Sequence, residues 1–278
     1  MPIETKPDAA DSLVAMQARE WAEEKHELLR AYIHRSHGAR RRWLGGPNGT
    51  SYIELFSGPG RLFLKGTDQF FDGSPLVAHR EAAKTSTAFS EMHLGDERQD
   101  FCDAVSERLK RLGAKPIVYP VRAEVAARQI QSALNKYALH FAFLDPFNLN
   151  LPFTIIESFA RFKHMDVLIH VSAMDLQRNL PDSVGASECP LDEFAPGWRK
   201  AVGDLNPSEI IARGKFLEYW LSRIWAVGFS ESNVKWHLVR GPKNQPLYWL
   251  VLLAKNKLAM DFWADIVERK QPNLQLFD

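Results

Sequence analysis

Apolar positions along the chain fall into two patterns, a helical period and short solid runs, and the switches between them predict the elements. Trp21, Leu28, Leu29, Tyr32 and Ile33 share one helical face. They predict a helix from an N-cap at Ser12 to about Trp43, after a loose stretch over residues 1–11. Gly45-Gly46-Pro47-Asn48-Gly49 stops it. Solid apolar runs predict strands at 51–56, 87–91, 117–121, 139–144 and 166–171, with a helix beginning at 75–78 and helices at 100–112, 124–137 and 154–162 between them. Ser74 is read as the N-cap of the first of these, with Pro75 at its first position. Residues 58–74 form an unusually long passage, and 173–208, rich in proline and glycine, read as an irregular insertion. A helix at 209–226, strands at 234–239 and 247–254 one turn apart, and a helix at 258–267 close the pattern. Strands alternating with helices predict a mostly parallel α/β sheet with helices on both faces, and the last two strands an antiparallel terminal pair. The expected division is an N-terminal helical extension over 1–46 and an α/β domain over 47–278.

Composition narrows the function. The 278 residues carry 35 basic and 34 acidic side chains, so any nucleic-acid partner must be held by a local patch. Such a patch is offered by the end of the first helix, where Arg40, Arg41 and Arg42 follow His34, Arg35 and His37. The other reading of the cluster is a solvated helix end whose cations complement the C-terminal dipole. Two cysteines, Cys102 and Cys189, outside any Cys-x-x-Cys pair, argue against a disulfide framework or a zinc site, and point to a reducing, cytoplasmic setting. No apolar run is long enough for a membrane span.

The chemistry concentrates at strand ends. Glu54-Leu55-Phe56-Ser57-Gly58-Pro59-Gly60 is an acid on an apolar strand followed by a glycine turn, the arrangement by which a Rossmann-like sheet opens a nucleotide-cofactor site. Glu54, Phe56, Ser57, Gly58 and Gly60 are the expected cofactor contacts. Glu91, read as the tip of the second strand, is the expected partner of the two ribose hydroxyls. Asp145-Pro146-Phe147, delivered by the run at 139–144, is the expected catalytic edge. The turn resembles the Asp/Asn-Pro-Pro-aromatic turn of amino-methyltransferases, which implies a carboxylate accepting from an exocyclic amine while the ring stacks on a flipped base; here the second proline is missing and Phe147 stands one position early. Lys25-His26-Glu27 lacks the second histidine of a zinc helix, there is no phosphate-binding loop, and there is no Gly-x-Ser-x-Gly elbow. Cys189-Pro190 reverses the Pro-Cys pair of pyrimidine C5-methyltransferases, and His164 and His170 read as structural.

Taken together, Lys25-His26 with Leu28-Leu29 and Tyr32, the run from Tyr52 to Arg61, Asp72-Gly73-Ser74-Pro75-Leu76, Phe143-Leu144-Asp145-Pro146-Phe147 and Arg178-Asn179 resemble the three-Cys-motif partner (TcmP) family of methyltransferase-like bacterial and phage proteins. The resemblance implies a class I fold binding S-adenosylmethionine (SAM). It also implies a partner protein whose three-cysteine motif is similar to that of radical-SAM proteins. Asn148 stands where the pattern leads one to expect glycine. Two functions follow as expectations: a SAM-dependent methyltransferase, acting on nucleic acid, or a non-catalytic partner subunit that keeps the fold.

Overall fold

Two strands precede the first helix. In a computed structural model describing residues 4–203, 205–206 and 208–271, Thr5–Pro7 (β1) and Val14–Ala18 (β2) pair antiparallel. Ser12 is a left-handed turn residue between them (φ 60°) and not a helix cap. The reason is local: Asp8, buried, takes the Ala10 N–H on its carboxylate and the Ser12 N–H on its carbonyl, closing the turn before a helix can start. The helix is Ala22–Arg35 (α1), and it buries the expected Leu28, Leu29, Tyr32 and Ile33. The Ser36 hydroxyl donates back to the Tyr32 carbonyl (2.8 Å) and divides α1 from His37–Leu44 (α2).

The contacts gather the chain into two units, Met1–Leu144 and Asp145–Asp278. In the first, Thr50–Glu54 (β3) is buried at every position. The long passage after it holds Arg61–Leu64 (β4) and Phe70–Asp72 (β5), so that β1-β2-β4-β5 form a four-stranded sheet with β2 and β4 parallel. Then come Ser74–Lys84 (α3), Glu91–Gly95 (β6), Gln99–Arg111 (α4), Pro116–Tyr119 (β7), Ala123–Ala133 (α5) and Leu139–Leu144 (β8). Gly73, not Ser74, is the N-cap of α3. The second strand begins where it was expected to end, because 85–90 turns at Ser86 (φ 54°) and Glu91 is its first residue. β3 pairs in parallel with β6 and β8, and β6 with β7.

The second unit contains Phe153–Ala160 (α6), Met165–Ser172 (β9), Ala173–Val184 (α7), Pro190–Phe194 (α8), Arg199–Val202 (α9), Ile210–Ala226 (α10), Trp236–Arg240 (β10), Pro246–Ala254 (β11) and Lys257–Lys270 (α11). The segment expected to be irregular is largely helical. The Ser172 hydroxyl caps α7 by accepting from the Asp175 N–H (3.2 Å), and Pro190 sits in the first turn of α8, where no N–H is needed. Aromatic packing holds the short helices: Phe194 stacks on Trp220 (5.0 Å between centroids) and Trp198 meets Phe216 edge-on (5.6 Å).

The large sheet has seven strands in the order β10-β11-β9-β8-β3-β6-β7. Counting β3 as first and reading from the β7 edge, that is third, second, first, fourth, fifth, seventh, sixth, with β11 antiparallel to both β9 and β10. It is the mostly parallel, helix-flanked, Rossmann-like sheet that the alternation of elements predicts, and the terminal strand pair is antiparallel as expected. No helix among the described residues is long and apolar enough to cross a membrane.

Candidate functional site

Because β3, β6, β7 and β8 run parallel, their carboxyl ends share one edge of the first unit, the edge at which α/β sheets place ligands. At the end of β3 the Glu54 side chain is fully buried and accepts from the Tyr52 hydroxyl (2.7 Å) and the Ser74 hydroxyl (2.5 Å). Those bonds tie β3 to the start of α3, so Glu54 braces the turn. Gly58 and Gly60 take left-handed backbone (φ 56° and 80°). At Gly60 a Cβ would lie 2.6 Å from Leu76 Cδ1 and 3.0 Å from Val105 Cγ2. The Ser57 N–H donates to the Gly95 carbonyl (3.0 Å), and Phe56 is half-buried.

A buried arginine that sequence reasoning missed closes the turn from behind. Arg108, on α4, donates through Nη1 to the Pro59 and Val14 carbonyls (2.7 Å each), and holds the Asp11 carboxylate through Nε (2.7 Å) and Nη2 (2.8 Å). The guanidinium keeps the Asp11 carboxyl below its ordinary range. On the other side of the turn, Met16 of β2 sits 3.4 Å from where a Gly58 Cβ would be.

The expected ribose carboxylate is corrected. Glu91 opens β6 opposite Ser51, at the amino end of the strand, where it accepts from the Ser51 hydroxyl and lies 3.1 Å from His93 Nε2. The carboxylate at the β6 tip is Asp96. Its Oδ2 accepts from the Gly58 N–H (3.1 Å) and its Oδ1 from the Arg98 N–H (3.0 Å). Burial pushes the Asp96 carboxyl above its ordinary value, against those two donors. The signal is present in the sequence, since Asp96 follows Leu94-Gly95 directly, but the expected strand lies four residues early.

In the second unit, Asp145, Pro146 and Phe147 form the expected turn. Asp145 Oδ1 is 3.8 Å from His170 Nδ1, and the His170 ring packs against Tyr248 (4.4 Å between centroids). Pro146 is buried and Phe147 is 57% exposed. Asn148 adopts φ 61°, the left-handed conformation that glycine would take at that position and that asparagine tolerates. His170, read from sequence as structural, thus stands beside the candidate carboxylate near the carboxyl end of β9.

The basic cluster divides. Arg40 is only 2% exposed, and its guanidinium donates to Ser36 Oγ (2.8 Å), Thr87 Oγ1 (3.0 Å) and the Thr87 carbonyl (3.2 Å) over the Phe89 ring. Burial pulls its pKa down to about 10. Arg40 is therefore a buried brace and not a surface contact, a correction to the three-arginine patch. Arg41 and Arg42 are exposed, and Arg41 donates to the Thr85 carbonyl (3.2 Å).

No family model matches the chain, and no curated protein matches it. Among solved structures it is similar to a protein of family DUF519 from Legionella pneumophila str. Philadelphia 1. The TM-score is 0.50 at 10% identity, over 87% of this chain and 91% of that one. It is also similar to a SAM-dependent methyltransferase from Clostridium acetobutylicum ATCC 824 (TM-score 0.40, 8% identity, 82% and 91% covered). A third similar structure is the plantazolicin methyltransferase BpumL in complex with SAH (TM-score 0.38, 10% identity, 85% and 88% covered). At these identities the likeness is one of fold.

Proposed function

We propose that the chain is a SAM-dependent methyltransferase that modifies an exocyclic amine, with a nucleic-acid base as its substrate class. The observation that carries the reading is the Asp96 carboxylate at the β6 tip, 3.1 Å from the Gly58 N–H of the glycine turn. Asp96 is desolvated beyond what its two backbone donors offset. A pair of ribose hydroxyls would supply the missing donors, so the site suits an adenosine-bearing cofactor. Asp96 would hold the ribose, Ser57 to Gly60 would bring backbone close to the cofactor, and Phe56 would give it apolar cover. SAM, when bound, supplies an electrophilic methyl group. At the other turn, Asp145 would accept a hydrogen bond from the amine, His170 would orient that carboxylate, and the exposed Phe147 ring would stack on the base.

Thermal shift with SAM, S-adenosylhomocysteine and NAD tests the cofactor step, because a ligand bound to the native state raises its melting temperature by mass action. SAM and S-adenosylhomocysteine are expected to raise it and NAD to leave it unchanged. A folded protein showing no shift at millimolar SAM sinks the reading. A second reading, a partner subunit for a three-cysteine protein that keeps the fold without turnover, draws on a different observation. Ser57, Gly58, Pro59 and Gly60 are all buried, beneath Met16 and against Arg108. Co-purification with such a protein, together with unaltered function of Asp145→Ala, would favour it.

A further inference from the structure

The opposite edge of the first unit's sheet carries a feature that the cofactor chemistry does not use. Three loops feed the amino ends of the parallel strands: 45–49 before β3, 85–90 before β6 and 134–138 before β8. They are joined to one another. The Thr50 N–H donates to Ser90 Oγ (3.1 Å), Asn135 Nδ2 donates to the Asn48 carbonyl (3.2 Å), and the Leu139 N–H donates to the Gly49 carbonyl (3.2 Å). The segments that supply these loops lack acids over long runs. No Asp or Glu occurs between Glu27 and Glu54, between Glu81 and Glu91, or between Glu124 and Asp145.

Aromatic surface lies among the cations. Tyr137 is 59% exposed, with Lys136 Nζ 4.9 Å from its ring centroid. The half-buried Trp43 indole N–H donates to the Tyr137 carbonyl (3.2 Å), which fixes α2's last turn beside that ring. Arg41 and Arg42 are exposed on the same turn. The acids bordering this edge are already engaged: Glu91 by Ser51 and His93, Glu81 by His34 and Lys84. Among the described residues the edge therefore offers exposed cations beside a flat ring, with its bordering carboxylates held by hydrogen bonds.

We infer that Arg41, Arg42, Lys136 and Tyr137 form a binding surface for single-stranded nucleic acid at the amino edge of this sheet. The cations would meet phosphates and Tyr137 would stack on a base. Cations interleaved with exposed rings suit an unpaired strand, whose bases present their faces, better than a duplex, whose bases are stacked away. The inference goes further than the base-amine reading above and is tested without cofactor, so either can fail alone.

The probe is a fluorescein-labelled twelve-nucleotide oligo-uridine, followed by anisotropy across a salt series, with a hairpin duplex and heparin as competitors. Wild type is expected to bind. Arg41→Ala/Arg42→Ala should weaken binding and reduce the steepness of log affinity against log salt by about 1.4, that is about 0.7 for each of two phosphate contacts. Tyr137→Ala should weaken it about tenfold with the salt slope unchanged, and Tyr137→Phe should restore it. Both sites are exposed, and circular dichroism is the check that the variants fold. No binding by wild type at 50 mM salt overturns the inference, and so do variants that bind as wild type does. Displacement by heparin or duplex together with an inert Tyr137→Ala also overturns it, by showing a surface for polyanions in general.

Discussion

The two ends of the parallel strands in the first unit are built on opposite terms. At the carboxyl end, glycines at Gly58 and Gly60 bring backbone, the Asp96 carboxylate and the Arg108 guanidinium into a tight buried junction. At the amino end, loops tied by a few hydrogen bonds leave Arg41, Arg42 and Tyr137 in solvent. A buried junction tolerates few substitutions because each group there is packed or paired, whereas an exposed rim can be altered at little cost to folding. Substitutions should therefore separate buried groups from the exposed rim: stability responds at the first, ligand affinity alone at the second.

The largest effect is expected at Gly60→Ala. Left-handed backbone and a Cβ driven against Leu76 and Val105 should cost about 2–4 kcal/mol, read as a lowered denaturant midpoint. Arg40→Ala, which strands the Thr87 carbonyl and removes a donor from two buried hydroxyls, should cost about 2 kcal/mol. Arg41→Ala and Arg42→Ala should stay within about 0.5 kcal/mol of wild type. Equal costs across the three arginines would erase the contrast between the buried brace and the rim.

In ligand binding the effects are smaller: Asp96→Asn should weaken SAM affinity about tenfold by calorimetry, the loss of about one good hydrogen bond. Glu91→Gln should leave it unchanged. If Glu91→Gln proved the damaging change, the placement of the two carboxylates at opposite ends of β6 would not describe the binding protein. The same site carries a pH signature. Burial raises the Asp96 pKa above the ordinary 3.8, so the ionised form that accepts from ribose is lost, and SAM affinity falls, as pH drops through that raised value. Folding runs the other way. Stability contributed by this group is full below pH 3.8 and lost as pH rises through the folded value, so wild type should lose ground to Asp96→Asn over that window.

What could be read from sequence follows from how local each cause is. The alternation of elements, the antiparallel terminal pair and the glycine turn were legible because periodicity and glycine placement act within a few residues. Glu91 was misread because two acids five positions apart flank one strand, and only the register opposite β3 tells which end is which. Arg40 looked like its neighbours in a run of three arginines. Its burial depends on Thr87 and Phe89, 47 and 49 residues away. Arg108 was invisible for the same reason, since its partners Asp11, Val14 and Pro59 are distant in the chain. The β1-β2-β4-β5 sheet escaped because its strands are short and its pairings long-range.

The excursion through β4 and β5 leaves from Gly60 and returns at Gly73, whose N–H donates to the Gly60 carbonyl (2.8 Å) and whose Cβ, if it had one, would lie 3.1 Å from the Gly60 backbone. Departure and return share one hydrogen bond, so the excursion is a closed detour whose ends stay fixed whatever it contains. Closing a loop costs only about 0.6 kcal/mol more for each doubling of its length. The stretch between β4 and β5 is therefore a place where sequence can be added or removed, by evolution or by an engineer inserting a tag, without shifting either the turn that precedes it or the helix that follows.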